Sequence, residues 1–214
     1  MKLKSIIAKV FKGTAIIKYL FFPFLSANAA GVSVAQVIGT EQTITAQVET
    51  STTLWVGTQQ GLWKINKANS KVEYLTTENS QLPSNNITGL CIGANNRVYA
   101  ATDKGILRYD GYAYQNITTD NSNLPTDNIT AIAADTDGNL WIGTDKGLVI
   151  MQGFKMHTFT TQNSVLSYNA VANISQSNGL LYVKLTNNNV IEIGNGTMHT
   201  VPSIIYKQQN IAIL

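Results

Sequence analysis

One cysteine, four prolines and a charged fraction of only 13% are what this 214-residue sequence has little of. The lone Cys91 excludes an intrachain disulfide and a cysteine-based metal cluster. It lies in the apolar run from Ile87 to Ile92, the setting of a small buried hydrophobe and not of a nucleophile. With no cysteine directly following the N-terminal apolar stretch, a lipid anchor there is not expected. No apolar run approaches the ~20 residues needed to span a bilayer. Beyond the first 29 residues, no segment sustains a 3.6-residue apolar period over three turns, so helix is nearly absent from the expected fold. Asn, Thr and Ser crowd the spaces between apolar runs, a mixture that favours strands and turns.

Acidic residues are missing from the N-terminus. Lys2, Lys4, Lys9, Lys12 and Lys18 all precede residue 30 with no Asp or Glu among them. Without them the formal charge of +3 becomes −2, which removes the electrostatic support for nucleic-acid binding. The lysines lead into an apolar stretch from Tyr19 to Leu25 and then Ala27-Asn28-Ala29, the order of a secretory signal peptide with a small-x-small cleavage site. Cleavage before Ala30 is the first choice, and Ser33-Val34-Ala35 offers a second site that would start the mature chain at Gln36. The expected compartment is periplasmic or extracellular, with no membrane span in the mature chain.

What is abundant is repetition. The segments LWVGTQQGLWKI (54–65), VYAATDKGILRY (98–109) and LWIGTDKGLVIM (140–151) align without gaps, and LYVKLTNNNVIEI (181–193) follows with one extra residue. Their aromatics Trp55, Tyr99, Trp141 and Tyr182 are spaced 44, 42 and 41 residues apart. NSQLPSNNIT at 79–88 matches NSNLPTDNIT at 121–130 with an offset of 42, a second landmark of the same period. Each repeat holds four β-type runs. In the third they are Ile129 to Ala134, Leu140 to Thr144, Leu148 to Met151 and Phe154 to Thr160, separated by tight turns at 135–139, 145–147 and near Gly153.

Four short antiparallel strands per ~40 to 45 residues is the pattern of a β-propeller blade. The fold expected is all-β, with repeats at 44–86, 87–128, 129–169 and 170–203 after a signal peptide (1–29) and an N-terminal segment (30–43). The second-strand aromatics should fill the space between blades. Gly57 and Gly143, two positions after Trp55 and Trp141, should let an adjacent blade approach. Residues 204–214 would begin a further blade or supply an exchanged strand, because a first strand is next due near Ile211. An incomplete ring exposes apolar faces, which points to self-association or to missing downstream blades.

The stretch DNITAIAADTDGNLWIGTDKGL (127–148) resembles the two-component-regulator propeller repeat, whose hallmark is an Asp-x-Asp-Gly-x-Leu-Trp-Ile-Gly-Thr run followed by a glycine-led strand. The resemblance covers roughly residues 44 to 203. It implies a propeller from the extracytoplasmic part of a bacterial sensor, many of which are associated with glycan sensing. Unlike such sensors, this sequence has no transmembrane helix, kinase or DNA-binding segment after the repeats.

Chemistry-bearing motifs give way to simpler readings. Asp135-Thr136-Asp137-Gly138-Asn139 begins like a calcium loop but lacks the downstream bidentate Glu, and Asp-Gly between strands is first of all a turn. His157 and His199 stand 42 apart on outer strands with no third ligand placed. The Asn-x-Ser/Thr sequons at Asn86, Asn116, Asn128, Asn173 and Asn195 read as structural. No catalytic residue, metal or cofactor is implied. Ligand contacts are expected from loops on one side: the second turns (Gln59, Gln60; Asp103, Lys104; Asp145, Lys146; Asn187, Asn188) and the ends of the blade connections (Asn85, Asp127, Tyr168). An exported non-catalytic module that binds an oligosaccharide or protein is the leading function. A propeller enzyme of the streptogramin-lyase type and a non-functional fragment of a split sensor gene remain as alternatives. N-terminal sequencing of the exported protein should return Ala30 or Gln36, and an intact Met1 would rule the leader out.

Overall fold

The computed structural model describes residues 42–194 and 197–201. The expected leader, the N-terminal segment before Gln42 and the residues from 202 onward lie outside them, as does the expected strand near Ile211. All elements below belong to the unit that starts at Thr43. They form four antiparallel sheets of four strands, each a meander in chain order. Blade 1 holds β1 (Ile44–Glu49), β2 (Thr53–Thr58), β3 (Leu62–Asn66) and β4 (Val72–Leu75). Blade 2 holds β5 (Ile87–Ile92), β6 (Val98–Thr102), β7 (Gly105–Tyr109) and β8 (Tyr114–Ile117). Blade 3 holds β9 (Ile129–Ala134), β10 (Leu140–Thr144), β11 (Leu148–Gln152) and β12 (Lys155–Phe159). Blade 4 holds β13 (Val171–Ser177), β14 (Leu180–Leu185), β15 (Val190–Gly194) and β16 (Thr197–Val201). The only helix among the described residues is a 3-10 turn at Ala94–Asn96, so none there is long and apolar enough to cross a membrane.

The faces that adjacent blades turn toward each other are apolar and buried. Trp55, Leu62 and Leu75 of blade 1 meet Leu90, Val98, Ala100 and Leu107 of blade 2. The other face of blade 2, with Tyr99, Ala101 and Ile106, meets Ile132, Leu140, Ile142 and Val149 of blade 3. Trp141 and Leu148 of blade 3 then meet Ile174, Leu181, Val183 and Ile191 of blade 4. Strict alternation along each strand makes this two-sided burial possible, because successive side chains point to opposite faces. Among the described residues the buried clusters give three interfaces for four blades, and none joins blade 4 to blade 1.

Two devices set the distance between inner strands. A cross-strand pair facing the next blade always combines one glycine and one alanine: Ala46 with Gly57, Gly89 with Ala101, and Ala131 with Gly143. A methyl on Gly57 would come within 2.5 Å of Ile87 Cγ2, and one on Gly143 within 2.5 Å of Val171 Cγ1. Both neighbours are β-branched side chains at strand starts, with little freedom to move aside. Blade 2 reverses the pair, placing the glycine on the first strand. The second device is a hydroxyl clasp: Thr88 Oγ1 donates to Ile129 O (2.7 Å) and Thr130 Oγ1 to Val171 O (2.8 Å). Thr45 stands at the same place in blade 1, but its hydroxyl is buried without a hydrogen-bond partner.

Blade 4 departs on both counts. Asn173 pairs with Lys184 where the other blades have the glycine and alanine, and Ala172 replaces the clasp threonine. The alternating face away from blade 3 adds Ser175, Tyr182, Glu192 and His199, which are aligned across the four strands. Three of these replace the Ala133, Trp141 and Ile150 of blade 3. Blade 4 therefore lacks both the glycine-alanine pair and the first-strand threonine of the other three blades.

Trp141 is 5% exposed, stacks on Phe159 with centroids 5.9 Å apart, and donates from Nε1 to Asp135 Oδ2 at 2.9 Å. Trp141→Ala should cost about 3 to 5 kcal/mol in denaturant unfolding. A loss within ~0.5 kcal/mol would place the ring in solvent.

Candidate functional site

The second turns are locked from inside. Thr58, Thr102 and Thr144 are fully buried at the ends of β2, β6 and β10. Their hydroxyls donate to Gly61 O (2.9 Å), Gly105 O (2.7 Å) and Gly147 O (2.7 Å). Each also accepts the N–H of the second turn residue, Gln60, Lys104 or Lys146, at 3.1 Å. Gly147, at φ +151°, cannot carry a side chain without meeting Phe159 O, so the turn is fixed by backbone as well. Gln59, Gln60, Lys104, Asp145 and Lys146 are exposed at these tips, while Asp103 is half-buried. In blade 4 the extra residue replaces the threonine lock with a wider turn, in which Leu185 N donates to Asn189 O and Asn188 sits at φ +68°. Asn187 and Asn188 are exposed there.

The turns meet the blade connections on one side. Asn86 Nδ2 donates to Asp103 Oδ2 (3.2 Å), and the side-chain amides of Asn187 and Asn189 both donate to Ser167 Oγ (3.2 and 2.7 Å). Burial raises the Asp103 pKa, but Ser84, Asn86 and its own backbone N–H outweigh it, so the carboxyl sits below its ordinary value.

The connections repeat a latch of their own. Asn79, Asn121 and Asn163 accept the N–H of Thr76, Thr118 and Thr160, and Ser80, Ser122 and Ser164 donate back to the carbonyls of those threonines at 2.6 Å. Leu82, Leu124 and Leu166 follow as buried plugs. Eight residues further along, Asn85 accepts from Thr77 N (2.8 Å), Asp127 from Thr119 N (2.7 Å) and Oγ1 (3.2 Å), and Asn169 from Thr161 N (2.8 Å). Two candidates from the sequence, Asn85 and Asp127, thus brace the connections. The equivalent position in the last connection is Asn169, one residue after Tyr168, whose ring is 52% exposed.

Sequence reasoning passed over Lys64. Its ammonium lies over the rings of Tyr109 (4.5 Å), Trp55 (5.5 Å) and Tyr114 (5.6 Å), and is 3.3 Å from Glu73 Oε2 and from each tyrosine hydroxyl. Burial lowers its pKa, but hydrogen bonding and charge interaction with Tyr114 and Tyr109 outweigh that and raise it. The lysine joins blade 1 to blade 2 at their rim, with an aromatic-cation contribution of about 1 kcal/mol at a partly desolvated site. Its only sequence signal is a lysine beside a tryptophan in one repeat and two tyrosines in the next.

The remaining motifs carry no reactive geometry. Asp135 Oδ1 accepts the N–H groups of Asp137 (3.0 Å) and Asn139 (2.8 Å), while Oδ2 accepts from Asn139 Nδ2 and Trp141 Nε1 (both 2.9 Å), which makes 135–139 a braced turn. His157 sits edge-on to Phe159 with centroids 4.7 Å apart, and His199 Nε2 is 3.0 Å from Thr197 Oγ1. No three His, Cys, Asp or Glu side chains among the described residues gather as metal ligands. Cys91 is buried, and that burial pushes its thiol pKa far above the ordinary value, away from nucleophilic use.

Residues 123–146 match the family described as two component regulator propeller. No curated protein sequence matches the chain. Virginiamycin B lyase from Staphylococcus aureus, solved as a catalytically inactive form with quinupristin, shares the fold at 13% identity and a TM-score of 0.59, over 78% of this chain and 58% of the lyase. The chain thus spans somewhat over half the length of that protein. The computationally designed Ika4 protein is similar at 13% identity and a TM-score of 0.54, over 77% of this chain and 95% of the design. The extracellular domain of a protein described as the hybrid two component system BT3049, from B. thetaiotaomicron, aligns at 19% identity and a TM-score of 0.46, over 79% of this chain and 29% of that one. The β-propeller fold follows from the four sheets together with the likeness to the lyase and the designed protein, and the match to the two component regulator propeller family is confined to residues 123–146.

Asp127→Ala removes two hydrogen bonds to Thr119 and should lower unfolding stability by about 1 kcal/mol. Asp127→Asn, which keeps the acceptor that Asn85 and Asn169 use, should stay within ~0.5 kcal/mol in the same urea titration. Equal losses in the two variants would show that the charge, and not the latch, matters.

Proposed function

We propose that the chain is an exported, non-catalytic propeller module that binds or senses an oligosaccharide or protein through the second-turn tips and connection ends of one side. The observation that carries this reading is the contrast between lock and tip. The same buried threonine and glycine hold the turns of blades 1, 2 and 3, yet the residues held out are Gln59-Gln60, Asp103-Lys104 and Asp145-Lys146. Blade 4 adds Asn187-Asn188 from a wider turn, and the exposed ring of Tyr168 stands in the connection that leads to it. Amides, acids and an aromatic on a rigid frame suit the hydroxyls and apolar faces of a sugar.

The two-component-regulator repeat supports a sensing role over catalysis. Likeness to a lyase adds little weight for an enzyme, because a designed protein is about as similar at the same identity. Three interfaces for four blades among the described residues support a further reading in which a second copy or additional blades extend the array.

An array of soluble oligosaccharides, followed by calorimetry on each hit, tests the reading. At least one should bind with a Kd in the micromolar to millimolar range. Lys146→Ala or Gln60→Ala should weaken it about 10-fold, a loss of ~1.4 kcal/mol, without shifting the unfolding midpoint. Binding untouched by changes at any of these tips would move the site elsewhere, and mass-spectrometric detection of bond cleavage in a bound sugar would replace the reading with an enzyme.

A further inference from the structure

Equivalent rim positions of the three seams are filled in three different ways. Lys64, Arg108 and Ile150 are matched by their pairing with Trp55, Tyr99 and Trp141. Opposite them, on the third and fourth strands of the next blade, stand Tyr109 and Tyr114, Met151 and Met156, and Ile193 and Met198. Between blades 1 and 2 the rings close around the lysine. Between blades 3 and 4, Ile150, Ile193 and Met198 join the apolar cluster around Trp141. Between blades 2 and 3 the space is not filled: a groove of about 350 Å³ remains, lined by Arg108, Gln115, Asn123, Met151, Phe154 and Met156 among others.

Arg108 is the charged group of that groove. Its side chain is 13% exposed, and Asp110 Oδ2 lies 3.6 Å from it, beyond hydrogen-bond reach. The Asp110 carboxylate is held instead by its own turn, where Oδ1 accepts from the N–H groups of Tyr112 (3.1 Å) and Ala113 (3.0 Å). The guanidinium also lies 5.4 Å from the ring of Phe154 and interacts electrostatically with its cross-strand neighbour Tyr99. Five N–H donors largely withdrawn from water, with one loose ion pair, leave room for a planar acceptor that a carboxylate matches with two parallel hydrogen bonds.

The surroundings fit the rest of such a molecule. Phe154 is 81% exposed and presents an open aromatic face at the mouth of the groove. The thioethers of Met151 and Met156 form an adaptable apolar wall. The side chains of Gln115 and Asn123 make no hydrogen bond among the described residues, unlike neighbouring Asn121 and Ser122, which are tied to Asn116 O and Thr118 O. The groove's volume lies at the lower end of small-molecule sites.

We propose that the seam between blades 2 and 3 binds a small carboxylate with an apolar body, its carboxylate on Arg108 and its body between Phe154 and the two methionines. This site is separate from the turn tips, so it stands whether or not they bind a sugar. Phenylacetate and its uncharged isostere phenylacetamide, titrated into the full chain and followed by NMR at the Arg108 Nε–H and the Asn123 side-chain amide, test it. Phenylacetate should give saturable shifts and bind about 10-fold more tightly than the amide. Arg108→Gln should erase that preference, and Phe154→Ala, at an exposed position, should weaken phenylacetate about 3-fold. Equal binding of the two probes, no saturation up to about 10 mM, or a preference that survives in Arg108→Gln overturns the proposal. Should Arg108→Gln fail to fold, the wild-type comparison of the two probes and the Phe154→Ala result decide it.

Discussion

Everything else in this structure depends on how closely the inner strand of one blade can approach the sheet before it. A single four-stranded sheet with two apolar faces is unstable in water, since each buried leucine or isoleucine side chain is worth roughly 1.5 to 3 kcal/mol only when something covers it. The Gly-Ala pair removes the atoms that would hold the next strand off, and the threonine hydroxyl then fixes that strand by its carbonyl. With the inner strands seated, Trp55 and Trp141 close the space further out. The pair also explains why Gly57 and Gly143 lack a counterpart in β6. At Ala101 the methyl is kept, and the cross-strand partner Gly89 is the residue reduced to hydrogen.

The repeat period, the four strands per blade and the inward aromatics were legible in the sequence because they are local and recur every 41 to 44 residues. In the third repeat the expected second strand, Leu140 to Thr144, has the observed bounds, and the fourth, expected from Phe154, begins at Lys155 because Gly153 and Phe154 make the turn. The fourth blade was harder to align. Its extra residue lies in the Leu185 to Asn189 turn, and Asn173, Lys184 and Ala172 replace the glycine, alanine and threonine landmarks of the other blades. A repeat read by its landmarks also hides what differs at equivalent positions. Lys64, Arg108 and Ile150 look interchangeable along the chain, and only the partners brought in from the next blade separate a caged cation, an open groove and an apolar seal.

The candidate ligand face was legible as a location but not residue by residue. Turn tips and connection ends do share one side, as the hydrogen bonds from Asn86 to Asp103 and from Asn187 to Ser167 require. Spacing alone could not tell which polar side chains at those ends brace the backbone. Asn85 and Asp127 resemble Gln60 and Lys146 in the sequence, but they cap backbone N–H groups eight residues earlier. Short polar side chains in such segments serve the chain's own orphan donors before they serve a ligand.

The glycine and alanine pairs have a consequence for how such an array changes length. Ile87 and Val171 each set a branched side chain against the glycine of the blade before them, and in the middle seam Ile132 approaches Gly89. Unequal recombination between equivalent codons of blades 1 and 3 would therefore excise or insert whole blades and leave behind the same glycine and branched-residue junction. Only the copy bearing Asn173 and Lys184 resists this exchange, because placing it upstream would set a charged, bulky pair where a bare backbone is needed. The fourth blade is thus the one copy among the four that does not interchange with the rest.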